Sequence, residues 1–189
     1  MAKKFILILG GARSGKSRFA QRLAEKLGTK VVFVATAEPL DEEMALRIEE
    51  HKRVRSKSWR TLEVRSKVGQ KLAGQIDNAE VVLLDCITLL VSNLLTSSCH
   101  CEQSEAIPEA TTTDPEKEVM AEIEDLIKCI DRYEGNFIVV SNEVGLGLVP
   151  ENRLARVYRD LLGRANQLLA EHADEVYFMV SGIPVKIKG

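Results

Sequence analysis

The sequence contains no long apolar run. Nothing in its 189 residues approaches the roughly 20 consecutive apolar residues that a membrane-spanning helix requires, so no membrane span is expected. It also lacks an excess of one charge. Lys and Arg number 26 against 28 Asp and Glu, a formal net charge of -2, so no global basic field draws it to nucleic acid or a membrane surface. Cysteine is scarce. Cys86, Cys99, Cys101 and Cys129 fall short of the dense disulfide framework of a small secreted fold, and reduced thiols in a cytoplasmic protein are expected. Cys99-His100-Cys101 is spaced more tightly than the usual zinc-ligand pair and has no second pair nearby, so it reads as incidental thiols in a loop. Met1-Ala2-Lys3-Lys4 before an apolar stretch looks like the start of a signal peptide, but Gly10-Gly11 and a charged helix follow, so export is not expected. No internal repeat is present.

What remains is the composition of an ordinary globular protein, 45% hydrophobic and 29% charged, of a length that suits one domain with a sizeable core. The most informative stretch is Gly10-Gly11-Ala12-Arg13-Ser14-Gly15-Lys16-Ser17, which fits the P-loop pattern G-x-x-x-x-G-K-[ST]. Its context fits too. Phe5-Ile6-Leu7-Ile8-Leu9 reads as a strand buried on both faces, and Phe19, Ala20, Leu23, Ala24 and Leu27 recur at helical spacing up to Gly28. The glycines let backbone N–H groups face inward around phosphates, and the helix start adds donors and partial positive charge. Lys16 is placed to reach the β- and γ-phosphates, and Ser17 to offer its hydroxyl to Mg²⁺. The motif implies a nucleoside triphosphate but not what is done with it.

Strand and helix patterns alternate along the rest of the chain. Further strands are predicted at Val31–Ala35, Val81–Leu84 (ending in Asp85), Phe137–Ser141 and Val176–Val180, with a short edge strand at Val185–Ile187 for which antiparallel pairing is open. Helices are predicted from a cap at Asp41 to about Arg55, more weakly over Val64–Ile76, at Leu89–Leu95, across Val119–Ile130 and across Leu154–Leu169. Thr96–Pro115 is rich in Ser, Thr, Glu and Pro, lacks periodicity, and reads as a surface insertion within a single domain spanning 1–189. The expected fold is α/β, a mainly parallel sheet with helices on both faces. Ligands of such sheets gather at the carboxyl ends of the strands, where the P-loop, Thr36, Asp85 and Asn142-Glu143 all fall.

Asp85, directly after an apolar strand, is in the Walker B arrangement and is a candidate Mg²⁺ ligand opposite Ser17. Arg47, His51 and Arg55 recur every four residues and so share one helix face, with Lys52 and Arg53 alongside. Two readings of that face stand open. One is a solvated basic face with an incidental histidine, which spacing alone favours. The other is an imidazole nucleophile with arginines to hold phosphates against it. Asn142-Glu143 is either a turn or a phosphate contact. Glu63 in isolation reads as a surface carboxylate. His100 and His172 look incidental.

Several segments together resemble the bifunctional adenosylcobinamide kinase / adenosylcobinamide-phosphate guanylyltransferase family of cobalamin biosynthesis. They are the P-loop, Ala35-Thr36-Ala37, Asp41–Met44 through Arg47-Ile48 to His51-Lys52, Trp59–Glu63, Leu84–Thr88, Ser92–Leu95, Asn142–Gly145, Val149–Arg156 and Val180–Lys186. They cover nearly the whole chain outside the insertion, and the later blocks are the more diagnostic. The resemblance implies a RecA-like P-loop sheet and two reactions. In the first, ATP or GTP phosphorylates the aminopropanol hydroxyl of adenosylcobinamide. In the second, GTP guanylylates a histidine, and the GMP passes to adenosylcobinamide phosphate to give adenosylcobinamide-GDP. It assigns the guanylylated histidine to His51. It implies nucleotide contacts from Gly10 to Ser17, from Ala35, Thr36 and Ala37, from Lys52, Arg53, Val54 and Arg55, and from Glu63 and Asp85. It also implies a homotrimer. Some relatives carry paired histidines at the helix site; here Glu50 precedes His51, leaving one candidate. Some carry Glu at the Asp85 position. The rival readings are a simple P-loop small-molecule kinase and a non-catalytic nucleotide-binding switch.

Overall fold

The computed structural model describes residues 3–38, 42–100 and 114–189, without the side chains of residues 47, 54 and 97–100. Seven strands form one sheet: β1 (Phe5–Gly10), β2 (Val31–Ala35), β3 (Arg60–Glu63), β4 (Val81–Asp85), β5 (Asn136–Val140), β6 (Glu175–Val180) and β7 (Ile183–Lys188), in the spatial order β3-β2-β4-β5-β1-β6-β7. Every pairing is parallel except β6 with β7. The helices are α1 (Lys16–Leu27), α2 (Glu42–Val54), α3 (Val68–Leu72), α4 (Ile87–His100), α5 (Pro115–Arg132) and α6 (Arg153–His172).

The two faces of the sheet are read directly from residue parity, because successive strand side chains point to opposite sides. In β1, Phe5, Leu7 and Leu9 enter one apolar cluster, beneath side chains of α3, α4, α5 and α6. Ile6 and Ile8 enter the other, covered by α1 through Ala20 and Ala24 and by Trp59. The central strands β1, β4 and β5 are apolar on both faces for that reason. In β4 the same parity sends Leu84 to the many-helix face and turns Asp85 to the face of α1, the helix that follows the P-loop.

Three expectations needed adjustment. β3 was not predicted as a strand. It is a short edge strand whose only apolar residue is Leu62, so it gives little periodic signal. The weak helical pattern over Val64–Ile76 condenses to the five-residue α3, whose first N–H groups are satisfied from another helix: Glu122 of α5 accepts from Lys67 N at 2.8 Å and Val68 N at 2.6 Å. α4 runs to His100, into the stretch read as an insertion, with Thr96 Oγ1 donating back to Ser92 O. The Asp41 cap, Cys101 and most of the insertion lie outside the described residues, as do the side chains of Cys99 and His100.

α2 differs from the other long helices. Among its described side chains none is buried, and Leu46 is 69% exposed. Its acidic first turn (Glu42, Glu43) and basic last turn (His51, Lys52, Arg53) suit the helix dipole. Met44, Ala45 and Ile48 are half-buried, and at the C-terminal end Lys52 pairs with Glu49 and Glu63.

Candidate functional site

The P-loop occupies the turn from β1 into α1, and its shape requires glycine at two positions. Gly10 has φ +148, and a Cβ there would lie 2.7 Å from Met179 O and 2.8 Å from Ser14 Oγ. Gly15 has φ +91, with Gly182 Cα 3.2 Å from where its Cβ would be. The neighbouring strands hold the loop at both ends. Glu143 N, past the tip of β5, donates to Gly10 O at 2.9 Å, and Gly182 N, in the β6–β7 turn, donates to Ser14 O at 3.0 Å. Gly11, Ala12 and Arg13 form the outer part of the loop, with Ala12 and Arg13 exposed. Ser17 is half-buried in the first turn of α1.

Lys16 is buried, and its Nζ donates to Gly11 O at 2.6 Å. Burial pushes its pKa below the usual lysine value, against the opposing pull of nearby Cys86 and Asp85. Asp85 stands at the end of β4, separated from β1 by β5. Its Oδ2 is buried without a hydrogen-bond partner. A buried carboxylate oxygen left unpaired is costly in isolation and suits a cation. No group of three or more His, Cys, Asp or Glu able to hold a metal exists among the described residues, so a divalent ion here would take its other ligands from Ser17 and from phosphate oxygens. Ser17 and Asp85 fit that role in donor type.

Asp85 also faces a second cation. The Arg55 guanidinium, just past the end of α2, lies 3.5 Å from the centroid of the Phe33 ring, and its Nη1 donates to Thr61 Oγ1 at 2.9 Å. Its Nε is buried with no partner. Burial lowers its pKa, while Asp85 and then Glu63 act to raise it. Glu63, at the end of β3, is 3.8 Å from Lys52 Nζ, which is also 3.4 Å from Glu49. Alternating charges thus run from the P-loop to the last turn of α2: Lys16, Asp85, Arg55, Glu63, Lys52. Residues far apart in sequence meet because β2, β3 and β4 all end on the same rim.

His51 is exposed in that last turn. Arg53 is exposed as well, while the side chains of Arg47 and Val54 lie outside the described residues. The expected shared face of Arg47, His51 and Arg55 is therefore changed at one end. The helix stops at Val54, and Arg55 turns onto the sheet instead of lying beside the histidine in solvent. Ala35 and Ala37 are half-buried at the β2 tip. Thr36 between them is fully buried, and its hydroxyl serves the fold: Oγ1 donates to Cys86 O at 2.7 Å and accepts from Cys86 N at 3.0 Å. Cys86 is itself pushed up to about 12, chiefly by burial and then by Asp85, so it remains a thiol.

Sequence reasoning did not find the brace beneath the rim. Asn142 N donates to Thr88 Oγ1 at 2.8 Å, Asn166 Nδ2 donates to Asn142 O at 3.0 Å, and Asn93 Nδ2 donates to Thr36 O at 2.9 Å. Asn93 and Asn166 are buried polar residues on helices. A polar residue on an otherwise apolar helix face was the available signal, but it does not reveal which loop the residue holds.

A model of the family described as cobinamide kinase / cobinamide phosphate guanyltransferase matches residues 6–187. The bifunctional adenosylcobalamin biosynthesis protein CobU of Escherichia coli is 45% identical over 183 residues, covering 97% of this chain and 99% of that protein. Its Salmonella typhimurium namesake is 44% identical with the same coverage. The bifunctional adenosylcobalamin biosynthesis protein CobP of Pseudomonas aeruginosa is 42% identical over 97% of this chain and 96% of its own. Among solved structures, the RadB recombinase superposes with a TM-score of 0.50 at 14% identity, over 94% of this chain and 74% of that one. At that identity the likeness concerns the fold alone.

Proposed function

The chain belongs to the cobinamide kinase / cobinamide phosphate guanyltransferase family, and from that premise we propose that it carries out both reactions of that description. It phosphorylates the free hydroxyl of adenosylcobinamide with ATP or GTP. It then transfers GMP from GTP to adenosylcobinamide phosphate, giving adenosylcobinamide-GDP. The observation that supports this most strongly is the alternating charge line from Lys16 to Lys52, which joins a triphosphate cradle to the helix bearing His51.

In the kinase step the P-loop N–H groups and Lys16 hold the β- and γ-phosphates. Lys16 then exchanges the Gly11 carbonyl for a phosphate oxygen, which restores a full charge partner to a desolvated ammonium. In the nucleotidyl step a ring nitrogen of His51 attacks the α-phosphorus of GTP. An N–P bond forms, the bridging P–O bond breaks, and pyrophosphate leaves. A phosphate oxygen of adenosylcobinamide phosphate then attacks the same phosphorus, breaking the N–P bond and freeing the imidazole. Splitting one displacement into two in this way is covalent catalysis. The guanidinium of Arg55, half-buried just past the end of α2, supplies positive charge to the phosphates as negative charge develops on them. Because α2 buries no described side chain, repositioning it toward the P-loop costs little apolar packing.

Ser17 and Asp85 would hold a magnesium ion together with the nucleotide, and the ion would neutralise phosphate charge. Ala35, Thr36, Ala37, Lys52, Arg53, Val54 and Glu63 complete the proposed nucleotide site. The proposed assembly is a homotrimer in the cytoplasm. Its self-association is consistent with β7, an edge strand whose Ile183, Val185 and Ile187 are all exposed. No helix among the described residues is long and apolar enough to cross a membrane.

The experiment is product analysis. Protein incubated with Mg²⁺, adenosylcobinamide and ATP should yield adenosylcobinamide phosphate, and addition of GTP should yield adenosylcobinamide-GDP. Phosphate transfer without the GDP product would reduce the protein to a kinase; nucleotide binding with neither product would make it a switch.

A further inference from the structure

Among the described residues, the large exposed apolar side chains other than Leu46 fall in two stretches, 146–157 and 180–187. Leu146, Leu148 and Val149, on the loop after β5, are 80%, 96% and 67% exposed, and Leu154 and Val157, in the first turns of α6, are 47% and 36% exposed. They lie on one continuous segment. An apolar group of this kind marks an interaction surface. The segment is also built, not slack. At its start Glu143 N is bonded to Gly10 O, and Glu143 Oε1 accepts from Gly145 N at 2.6 Å. At its end the Asn152 side chain caps α6 by accepting from Leu154 N and Ala155 N, and Arg156 Nη1 donates to Pro150 O at 2.9 Å. The hydrophobic residues are thus displayed from a loop whose first residues are tied to the P-loop itself.

The rim divides by chemistry. On the side of β2 and β3 it presents Arg55, Glu63 and Lys52, groups suited to a nucleotide. Past the tip of β5, next to β1, it presents these aliphatic side chains. The function proposed above requires a second substrate beside the triphosphate, and that substrate has the matching character: a large macrocycle with methyl-bearing edges and uncharged amide arms, whose hydroxyl must reach the γ-phosphate. We propose that Leu146, Leu148, Val149, Leu154 and Val157 form the docking surface for the corrin macrocycle of adenosylcobinamide. One surface serves both steps, because the acceptor differs between them only by a phosphate at the end of its arm. Remote binding of the macrocycle holds that arm in line with the phosphate it attacks. The exposed face of β7 lies on the other side of β1, beyond β6, and remains free for self-association.

This inference rests on the proposed function, and its test separates the two. The variant is Leu146→Asn with Leu148→Asn, two positions whose high exposure makes unfolding an unexpected result. Three readouts are taken with adenosylcobinamide as the probe: KM in the kinase step, uptake of GMP by the protein from GTP alone, and mass in sedimentation velocity. The expected result is a rise in KM for adenosylcobinamide of at least about tenfold, with GMP uptake and sedimenting mass unchanged. An active wild type with an unchanged KM in the variant overturns the docking surface and leaves the function intact. A variant that changes sedimenting mass shows the patch to be a contact between copies, which also overturns it. A wild type that makes neither product overturns the function and this inference together.

Discussion

Replacing Arg55 by alanine separates function from stability, and the expected sizes follow from its surroundings. The stacked contact over Phe33 at 3.5 Å contributes about 0.5–2 kcal/mol to the fold, and the bond to Thr61 Oγ1 adds about 1.5 kcal/mol or more as a hydrogen bond from a charged donor. Against these stand the desolvation that lowers its pKa and a buried Nε with no partner, a defect of about 1–3 kcal/mol. The terms nearly cancel, so Arg55→Ala should change unfolding free energy by no more than about 1 kcal/mol. That corresponds to a melting shift of about 2–4 °C for a chain of this size. GTP binding should respond differently. The half-buried guanidinium offers its charge to phosphate oxygens, and loss of one charge-assisted hydrogen bond costs about 1.5–3 kcal/mol, or roughly 10- to 150-fold in affinity. Arg55→Lys should not restore binding, because an ammonium lacks the planar face that stacks on Phe33 and the fork that reaches Thr61 and a phosphate together. Titration with a fluorescent GTP analogue, beside thermal unfolding of each variant, decides the matter. A variant that loses several kcal/mol of stability but binds GTP normally would refute the reasoning, since Arg55 would then be a strut of the fold.

Two further perturbations test the framework on which the site stands. Glu122→Ala leaves the N–H groups of Lys67 and Val68 without the carboxylate that accepts from both; chemical denaturation should show a loss of about 2–4 kcal/mol, and a loss below about 0.5 kcal/mol would contradict the capping role. Glu175 is held down to about 2 from its usual 4.5, first by the hydrogen bond from Lys4 at 2.5 Å. A depressed carboxylate stabilises the fold fully above its unfolded value and loses that contribution as pH falls through its folded one. Urea midpoints should therefore decline from about pH 5 toward pH 2, and Glu175→Gln should flatten part of that decline; an identical acid profile in the variant would refute the linkage.

Much of the site was legible in the sequence because it lies in short continuous stretches. The P-loop carries its own pattern, and the apolar runs ending in Asp85 and Ser141 place strand tips on the rim. The strands β1, β4 and β5 were clear because burial on both faces leaves an unbroken apolar run. β3 was hidden because an edge strand with one apolar residue has no such run. The partners of Arg55 could not be read at all. Phe33 and Thr61 become its neighbours only through the pairing of β2 with β3, a contact between strands that local periodicity does not encode. Thr36 is read by resemblance as a nucleotide contact; that its hydroxyl also braces Cys86 could not be read, because the segments after β2 and β4 meet only through the pairing of those strands.

The central claim is that His51 carries GMP between GTP and the corrinoid phosphate. Intact-mass measurement of the protein after incubation with Mg²⁺ and GTP tests it most directly. The account predicts a GMP-sized adduct that is lost in acid, survives base and is absent in His51→Ala. An adduct that persists in that variant, or a wild-type protein that acquires none, would contradict it.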